Sequence, residues 1–361
     1  MKVSIGAKLR SGPWGGANEV FHSLANYLRA KGVEVCFDLQ PRDLDIIVLT
    51  HIDPNQPSSA YSYSDVVRYL LSRNYRAIVV HRFNHTSEAK GDRGNYYNKT
   101  RIAANRFADH AIFLSGYLYN TYVESGFKSP HHSIIFNGGL RPRAMKNRSR
   151  REPLKIITHH WSNFRLKGFD VYERLDRLLL CSDWREKVDF TYVGRLPDGF
   201  KFENAAYRPP LPMTEVTQEL LSHDIYLTAS QYEPAGMHHI EGAMCGLPLL
   251  YRESGALPEY CNGYGISFNE TNFEQKLQEM IDDYDHWASR MRDYPNTAEK
   301  MCDDYHRLFL ELIECRAEIL KRRRWWCRPD LILVALATTW IKRSYRALRR
   351  QFSRFLHRFV R

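Results

Sequence analysis

The sequence predicts an α/β chain of two consecutive doubly wound, Rossmann-like parallel-sheet domains facing each other across a cleft. Three observations predict it. The chain has 361 residues, long for one domain and natural for two of about 150 each. Short, solid apolar runs alternate with amphipathic helical stretches, the pattern of strands buried on both faces. That alternation is interrupted once by a stretch rich in Gly, Pro and Arg, and then restarts.

Val3–Ala7 opens as a strand and leads into the turn-rich Ser11-Gly12-Pro13-Trp14-Gly15-Gly16-Ala17-Asn18. A helix follows through Phe21, Leu24, Ala25 and Leu28, and Lys31-Gly32 stops it. Strands are expected at Val33–Phe37, Ile46–Thr50, Ala77–Val80, Ala111–Leu114 and Ser133–Phe136, with a helix at Val66–Leu71. Gly138-Gly139-Leu140-Arg141-Pro142-Arg143 through Arg148-Ser149-Arg150-Arg151 has no periodicity and reads as an interdomain linker. Beyond it come strand Leu154–Thr158, helix Phe169–Leu180, strand Phe190–Val193, helix Thr214–Leu221 and strand Ile225–Thr228. A helix near His238–Cys245 and strand Leu247–Tyr251 complete the second half. The expected units are 1–150, 151–315 and a tail, 316–361.

Composition narrows the function classes. The formal charge is +11, but 14 of the 52 Lys+Arg and only 2 of the 41 Asp+Glu lie between Arg316 and Arg361. The remainder holds 38 basic and 39 acidic residues, so the body is neutral and the basicity belongs to the tail. Seven scattered cysteines without a C-x-x-C pair read as reduced thiols of a cytosolic protein. Met1-Lys2-Val3-Ser4-Ile5 runs straight into a strand, with no signal peptide expected. The longest apolar stretch, Leu331–Ile341, is shorter than the roughly 18–20 residues that span a bilayer.

The richest chemistry lies in Ser230-Gln231-Tyr232-Glu233-Pro234-Ala235-Gly236-Met237-His238-His239-Ile240-Glu241. A strand ends, a Pro/Gly loop follows and a helix begins near Met237. Free amides and the positive helix end then meet at the carboxyl edge of a parallel sheet, where phosphates bind. Glu233 and Glu241 suit sugar and ribose hydroxyls, which donate to charged acceptors. Spacing alone reads them equally well as a loop charge and a solvated helix residue.

Glu233-x7-Glu241, followed by Gly246-Leu247-Pro248 and Ser254-Gly255-Ala256-Leu257-Pro258-Glu259, resembles the signature of the family 4 retaining glycosyltransferases of GT-B fold. Other pieces match in order: the Gly15-Gly16 loop, Phe136-Asn137-Gly138, Lys167-Gly168 and Tyr192-Val193-Gly194-Arg195. The resemblance covers roughly residues 1–270. It implies a transferase that moves a sugar from a nucleotide-diphosphate donor to an acceptor hydroxyl, without metal or cofactor. By the same resemblance Glu241 holds the ribose diol and Glu233 binds the donor sugar beside the amides of Ala235 to Met237. Lys167 neutralises the diphosphate, while Gly15, Gly16, Gly194, Gly236 and Met237 line the donor. The family's Arg, five or six residues before the Lys, is replaced by Trp161 and Ser162, leaving Arg165 as the expected second cation or as a plain surface charge. Of His81 and His85, His85 is favoured as the residue touching sugar or acceptor.

In the tail, Ile341, Tyr345, Leu348, Phe352, Phe355 and Phe359 recur every three or four residues between arginines. An amphipathic helix of that kind is expected to lie on an anionic membrane through 325–361, aided by Trp325 and Trp326. A partner helix is the next reading, and nucleic acid the least favoured. The expected setting is the inner face of a bacterial membrane, with a polysaccharide or lipid-linked glycan acceptor. The rival class is a catalytically silent adaptor acting through the tail. A GT-B nucleotide-sugar epimerase is disfavoured by the Glu-x7-Glu arrangement.

Overall fold

The computed structural model describes residues 1–10, 16–53, 55–143, 150, 152–337, 340, 341 and 344. Strands β1 (Lys2–Ile5), β2 (Glu34–Cys36), β3 (Ile46–Leu49), β4 (Ile78–Phe83), β5 (His110–Phe113) and β6 (His132–Ile134) form one sheet in the order β2-β1-β3-β4-β5-β6. Strands β7 (Leu154–His160), β8 (Val188–Gly194), β9 (Ala206–Arg208), β10 (Ile225–Thr228), β11 (Leu249–Arg252) and β12 (Gly265–Phe268) form a second, ordered β12-β11-β10-β7-β8-β9. Every pairing in both sheets is parallel. This is the expected doubly wound architecture, twice over.

Sequence explains why the sheets are covered on both faces. All residues of β3, β4, β10 and β11 are buried, which only helices on both sides achieve. Helices α1 (Ala17–Ala30), α2 (Tyr63–Ser72), α3 (Tyr96–Asn105) and α4 (Gly116–Glu124) belong to the first half. Helices α5 (Phe169–Leu178), α6 (Ser182–Arg185), α7 (Met213–Leu221), α8 (His238–Met244), α9 (Leu257–Cys261), α10 (Phe273–Asp282) and α11 (Tyr284–Arg290) belong to the second. Helix α1 buries Val20, Phe21, Leu24, Ala25 and Leu28 on one stripe; each large apolar side chain buried this way contributes about 1.5–3 kcal/mol.

Helix α3 and strand β9 were not legible in the pattern, for different reasons. Helix α3 reads Tyr-Tyr-Asn-Lys-Thr-Arg-Ile-Ala-Ala-Asn and has no clear apolar stripe. Its first turn is held by polar ties instead: Asp92 accepts from the Tyr97 amide at 2.6 Å, and Ser87 and Asn98 exchange hydrogen bonds at 2.9 and 3.1 Å. Strand β9 is a three-residue, fully exposed edge strand, too short to leave a periodic signal.

Helices α12 (Ala298–Glu314) and α13 (Arg316–Arg322) leave the second half and return to the first. Tyr27 of α1 donates to Asp303 at 3.0 Å, and Arg316 pairs with Asp45 at 2.5 Å. Arg323 is buried and bonds both carboxylate oxygens of Asp109 and the Ala77 carbonyl. The first part of the expected linker is tied down too: the Gly139 amide bonds Asn296 and the Ala298 amide bonds Gly139. A Cβ on Gly138 would lie 2.1 Å from the Thr297 carbonyl oxygen, so only glycine permits that approach. Linker residues 144–149 and 151 lie outside the described residues.

Beyond Arg323, Trp325 meets Phe107 edge-to-face at 5.6 Å. Residues 329–337 are helical, with Ala335 buried against Val67 and Phe107. Leu333, Val334, Trp340 and Ile341 are exposed. Among the described residues no helix is long and apolar enough to cross a membrane; positions 345–361 of the expected tail helix lie outside them. All seven cysteines are free thiols.

Candidate active site between the two sheets

The carboxyl ends of both sheets face each other, and the segment after β10 is the hinge of the site. Tyr232 adopts a left-handed backbone, φ 53°, which costs a non-glycine residue about 1 kcal/mol. The loop 254–256 supports that turn. Ser254 Oγ accepts from the Tyr232 amide at 2.9 Å, and the Ala256 amide donates to the Glu233 carbonyl at 2.7 Å. Gly255, φ 62°, lets the two loops meet, because a Cβ there would lie 2.4 Å from Glu233 backbone atoms. The Ser-Gly-Ala motif is therefore the buttress of Glu233.

Glu233 is buried and its Oε2 accepts from Lys167 Nζ at 2.6 Å. Burial pushes its carboxyl upward, but the Lys167 ammonium outweighs burial and holds it down at about 2. Lys167 sits in a single 3₁₀ turn, Arg165–Lys167, ending at Gly168 with φ 99°. Arg165 lies on that turn, exposed to solvent. Gly236 packs against Glu233: an added Cβ would meet the His238 ring at 2.6 Å and the Glu233 carboxyl carbon at 2.9 Å.

Glu241, on α8, turns back toward the end of β7, where its Oε2 lies 2.7 Å from His159 Nε2. His159 Nδ1 lies 3.1 Å from the Tyr226 hydroxyl. Gly194, φ 135°, closes the neighbouring strand against the His160 carbonyl, 2.0 Å from where a Cβ would sit. Trp161, standing where the family pattern has Arg, carries the Arg195 guanidinium over its ring at 4.9 Å.

From the first half, Gly16 reaches the second directly, since its Cβ would fall 2.3 Å from Met237 Cγ. Gly15 lies outside the described residues. The two histidines after β4 separate cleanly. His81 is buried, meets the Phe83 ring at a tilt with centroids 4.2 Å apart and bonds Asn105 through Nδ1 at 3.1 Å. His85 is half-buried and lies within the fields of Glu233 and Lys167. Burial, then Lys90, hold its imidazole well below the usual range and neutral at pH 7.

The partners of several site residues carried no sequence signal. Glu259 bonds the amides of Gly116 and Tyr117 at the start of α4, at 2.6 and 2.5 Å. Tyr260 donates to the Leu114 carbonyl and accepts from the Asn137 amide. Asn137 bonds the Ala235 carbonyl, and Ser115 bonds that of Pro234. His160, His238 and His239 form a row of rings 4.6 and 5.0 Å apart. His239 is fully buried, and neither ring nitrogen has a hydrogen-bond partner among the described residues. Only the doubled His159-His160 and His238-His239 hinted at this row.

No protein-family model matches the chain, and no curated protein matches it. Solved structures do match in fold, and the class they define is the two-domain GT-B architecture. The glycosyltransferase WaaG, involved in lipopolysaccharide biosynthesis, aligns with a TM-score of 0.60 at 15% identity, over 86% of this chain and 99% of that one. Sucrose-phosphate synthase from Thermosynechococcus elongatus aligns at 0.58 and 14% identity, over 87% and 100%. Anabaena HepE in complex with UDP-glucose aligns at 0.54 and 16% identity, over 89% and 99%. TarM aligns at 0.55 and 13% identity, and the match spans about half of its length, 54%. The likeness is one of fold.

Proposed function

We propose that this chain is a retaining glycosyltransferase of the family 4 type, moving a sugar from a nucleotide-diphosphate donor to an acceptor hydroxyl. The observation that carries the reading is the Lys167–Glu233 pair beside His159–Glu241, with His85 facing it from the other half. A GT-B fold alone does not place two carboxylates and an ammonium at one sheet edge. That one structural neighbour, WaaG, is a glycosyltransferase and another, HepE, is a complex with UDP-glucose agrees with it.

Glu241, oriented by His159, takes the ribose diol. Glu233 accepts hydrogen bonds from donor-sugar hydroxyls; its ionised state at neutral pH suits it to that role. Lys167, with Arg165 on the same turn, stabilises the diphosphate as the glycosidic bond breaks, an electrostatic task that fixed cations perform without metal. Gly16, Gly194, Gly236 and Met237 let backbone approach the donor closely. Neutral His85 meets the transferred sugar or acceptor. Attack comes from the face the diphosphate leaves, and a leaving phosphate oxygen takes the acceptor proton.

The acceptor belongs to a membrane-associated glycan, and the chain works on the inner, anionic face of that membrane. The exposed Leu333, Val334, Trp340 and Ile341 and the arginine-rich sequence after them support this. The test is donor hydrolysis by the full chain over a panel of nucleotide sugars, with and without EDTA, reading the product anomer by NMR. Cleavage of one donor class, unaffected by EDTA, giving the donor's own anomer and lost in Lys167→Ala, is the expected result. No cleavage by the folded chain, with vesicle binding intact, points to the silent adaptor instead.

A further inference from the structure

The first half brings its own cations to the site, and among the described residues no carboxylate forms an ion pair with them. Helix α3 starts beside the loop after β4, fixed there by the Ser87–Asn98 and Asp92–Tyr97 bonds. Tyr97 then stands edge-to-face with His85 at 6.4 Å. Arg101, one turn further along α3, lays its guanidinium on the Tyr97 ring at 3.3 Å, a cation–π contact that orients it without neutralising it. Lys90 ends the short turn Glu88–Lys90 in the same loop. Among the described residues neither Lys90 nor Arg101 forms an ion pair; Arg101's one hydrogen bond goes to the Tyr97 carbonyl.

The surrounding charges make this arrangement costly. Lys90 is exposed, yet partial desolvation of its ammonium, then Arg101 and Lys167, hold it below the usual lysine range, with Glu233 acting against them. His51, at the end of β3, is pushed to about 4 by burial, then by Arg101, Arg82 and Lys90, with Asp53 opposing. Arg82 is already engaged by Asn137 and Tyr305. Like charges gathered beside a reaction centre destabilise the free protein, and an anion relieves them.

We propose that Lys90 and Arg101, on the Tyr97 platform, form an anion subsite for the acceptor, so the acceptor glycan carries a phosphoryl, sulfate or carboxyl group near the hydroxyl that is glycosylated. This rests on the transferase reading and deepens it by naming the acceptor's chemistry. The subsite residues belong to the first half, with Lys90 within the field of the diphosphate cation Lys167, so competition with UDP tells the two sites apart.

The experiment is calorimetric titration of the full chain with a sulfated pentasaccharide, fondaparinux, against neutral maltopentaose, with UDP titrated in parallel. Fondaparinux is expected to bind at least tenfold more tightly than maltopentaose, in the presence of saturating UDP. Lys90→Gln with Arg101→Gln is expected to weaken it at least tenfold and to leave UDP binding unchanged, which also shows that the variant folds. Equal binding of the two sugars overturns the proposal. So does displacement of fondaparinux by UDP, which assigns the anion to the donor site. Loss of binding in Arg349→Gln/Arg350→Gln/Arg354→Gln, but not in the Lys90/Arg101 variant, overturns it in favour of the basic tail. Absence of binding by UDP and by every other nucleoside diphosphate of a panel, alongside selective fondaparinux binding, fails the transferase reading and leaves the anion subsite standing.

Discussion

Lys167 and Glu233 show how a buried charge is retained at a site. Glu233 sits below its ordinary 4.5 in the folded chain, so the pair's contribution is complete above about pH 4.5 and fades as pH falls toward about 2. Lys167→Ala leaves Glu233 buried and uncompensated, and is expected to cost about 3–5 kcal/mol at pH 7 and less at pH 4, where the stranded carboxyl takes up a proton. Urea unfolding at the two pH values checks this. Adding Glu233→Gln is expected to recover stability without recovering transfer, which separates the fold role of the pair from its chemistry. Gly236→Ala forces a methyl against Glu233 and His238; a donor affinity at least tenfold weaker, with far-UV circular dichroism unchanged, is the expected outcome.

At the scale of elements, the junction between the halves is made by close backbone approach, by the side chains of Tyr260, Asn137 and Ser115, and by the Glu259 carboxylate. This carboxylate caps α4 from the opposite half, contributing about 1 kcal/mol to a helix that has no acidic residue in its own first turn. Glu259→Ala is expected to let the halves separate, seen as a larger radius of gyration in X-ray scattering and a raised donor KM with kcat little changed. An unchanged radius would mean that Tyr260 and Asn137 suffice. The C-terminal return is held by Arg323 on Asp109, both buried. Arg323→Ala is expected to cost about 3–5 kcal/mol by stranding Asp109, measured as a lower urea midpoint.

For the whole molecule, histidine burial sets the acid limit. His81, His51 and His239 are pushed to about 3, 4 and 4, and His85, His160 and His238 also lie well below 6.5, in each case chiefly through burial. The unfolded chain binds these protons below about pH 6.5 and the folded chain does not, so stability falls as pH drops from 6.5 toward 4. Thermal midpoints are expected to decline steeply between pH 6.5 and 5, with proton uptake on unfolding; a flat profile would contradict the burial of these rings.

How much of this was legible follows from what each element depends on. The sheets were legible because Ile46–Leu49 or Ile225–Thr228 are buried wherever they pair, and solid apolar runs declare that locally. Lys167, Glu233 and Glu241 were legible because an ordered set of short motifs surrounds them. Glu259 stood in a quoted motif, but its contact was not legible: its partners lie 143 and 142 residues away and are amides, which leave no mark on side-chain pattern. His159 lay just past the expected strand Leu154–Thr158, which extends to His160, and α12 gave no hint that its buried face belonged to the first half. Trp325, expected at a headgroup level, packs on Phe107 instead, while Trp340 is exposed beyond it.

The most direct test of a donor site at the carboxyl edge of the second sheet is calorimetric binding of nucleotide diphosphates and nucleotide sugars to the full chain, with Glu241→Ala alongside. Saturable binding of one nucleotide class, weakened at least tenfold by Glu241→Ala, is the expected result. Binding of no nucleotide by the folded chain, or binding that Glu241→Ala leaves untouched, would contradict the donor site.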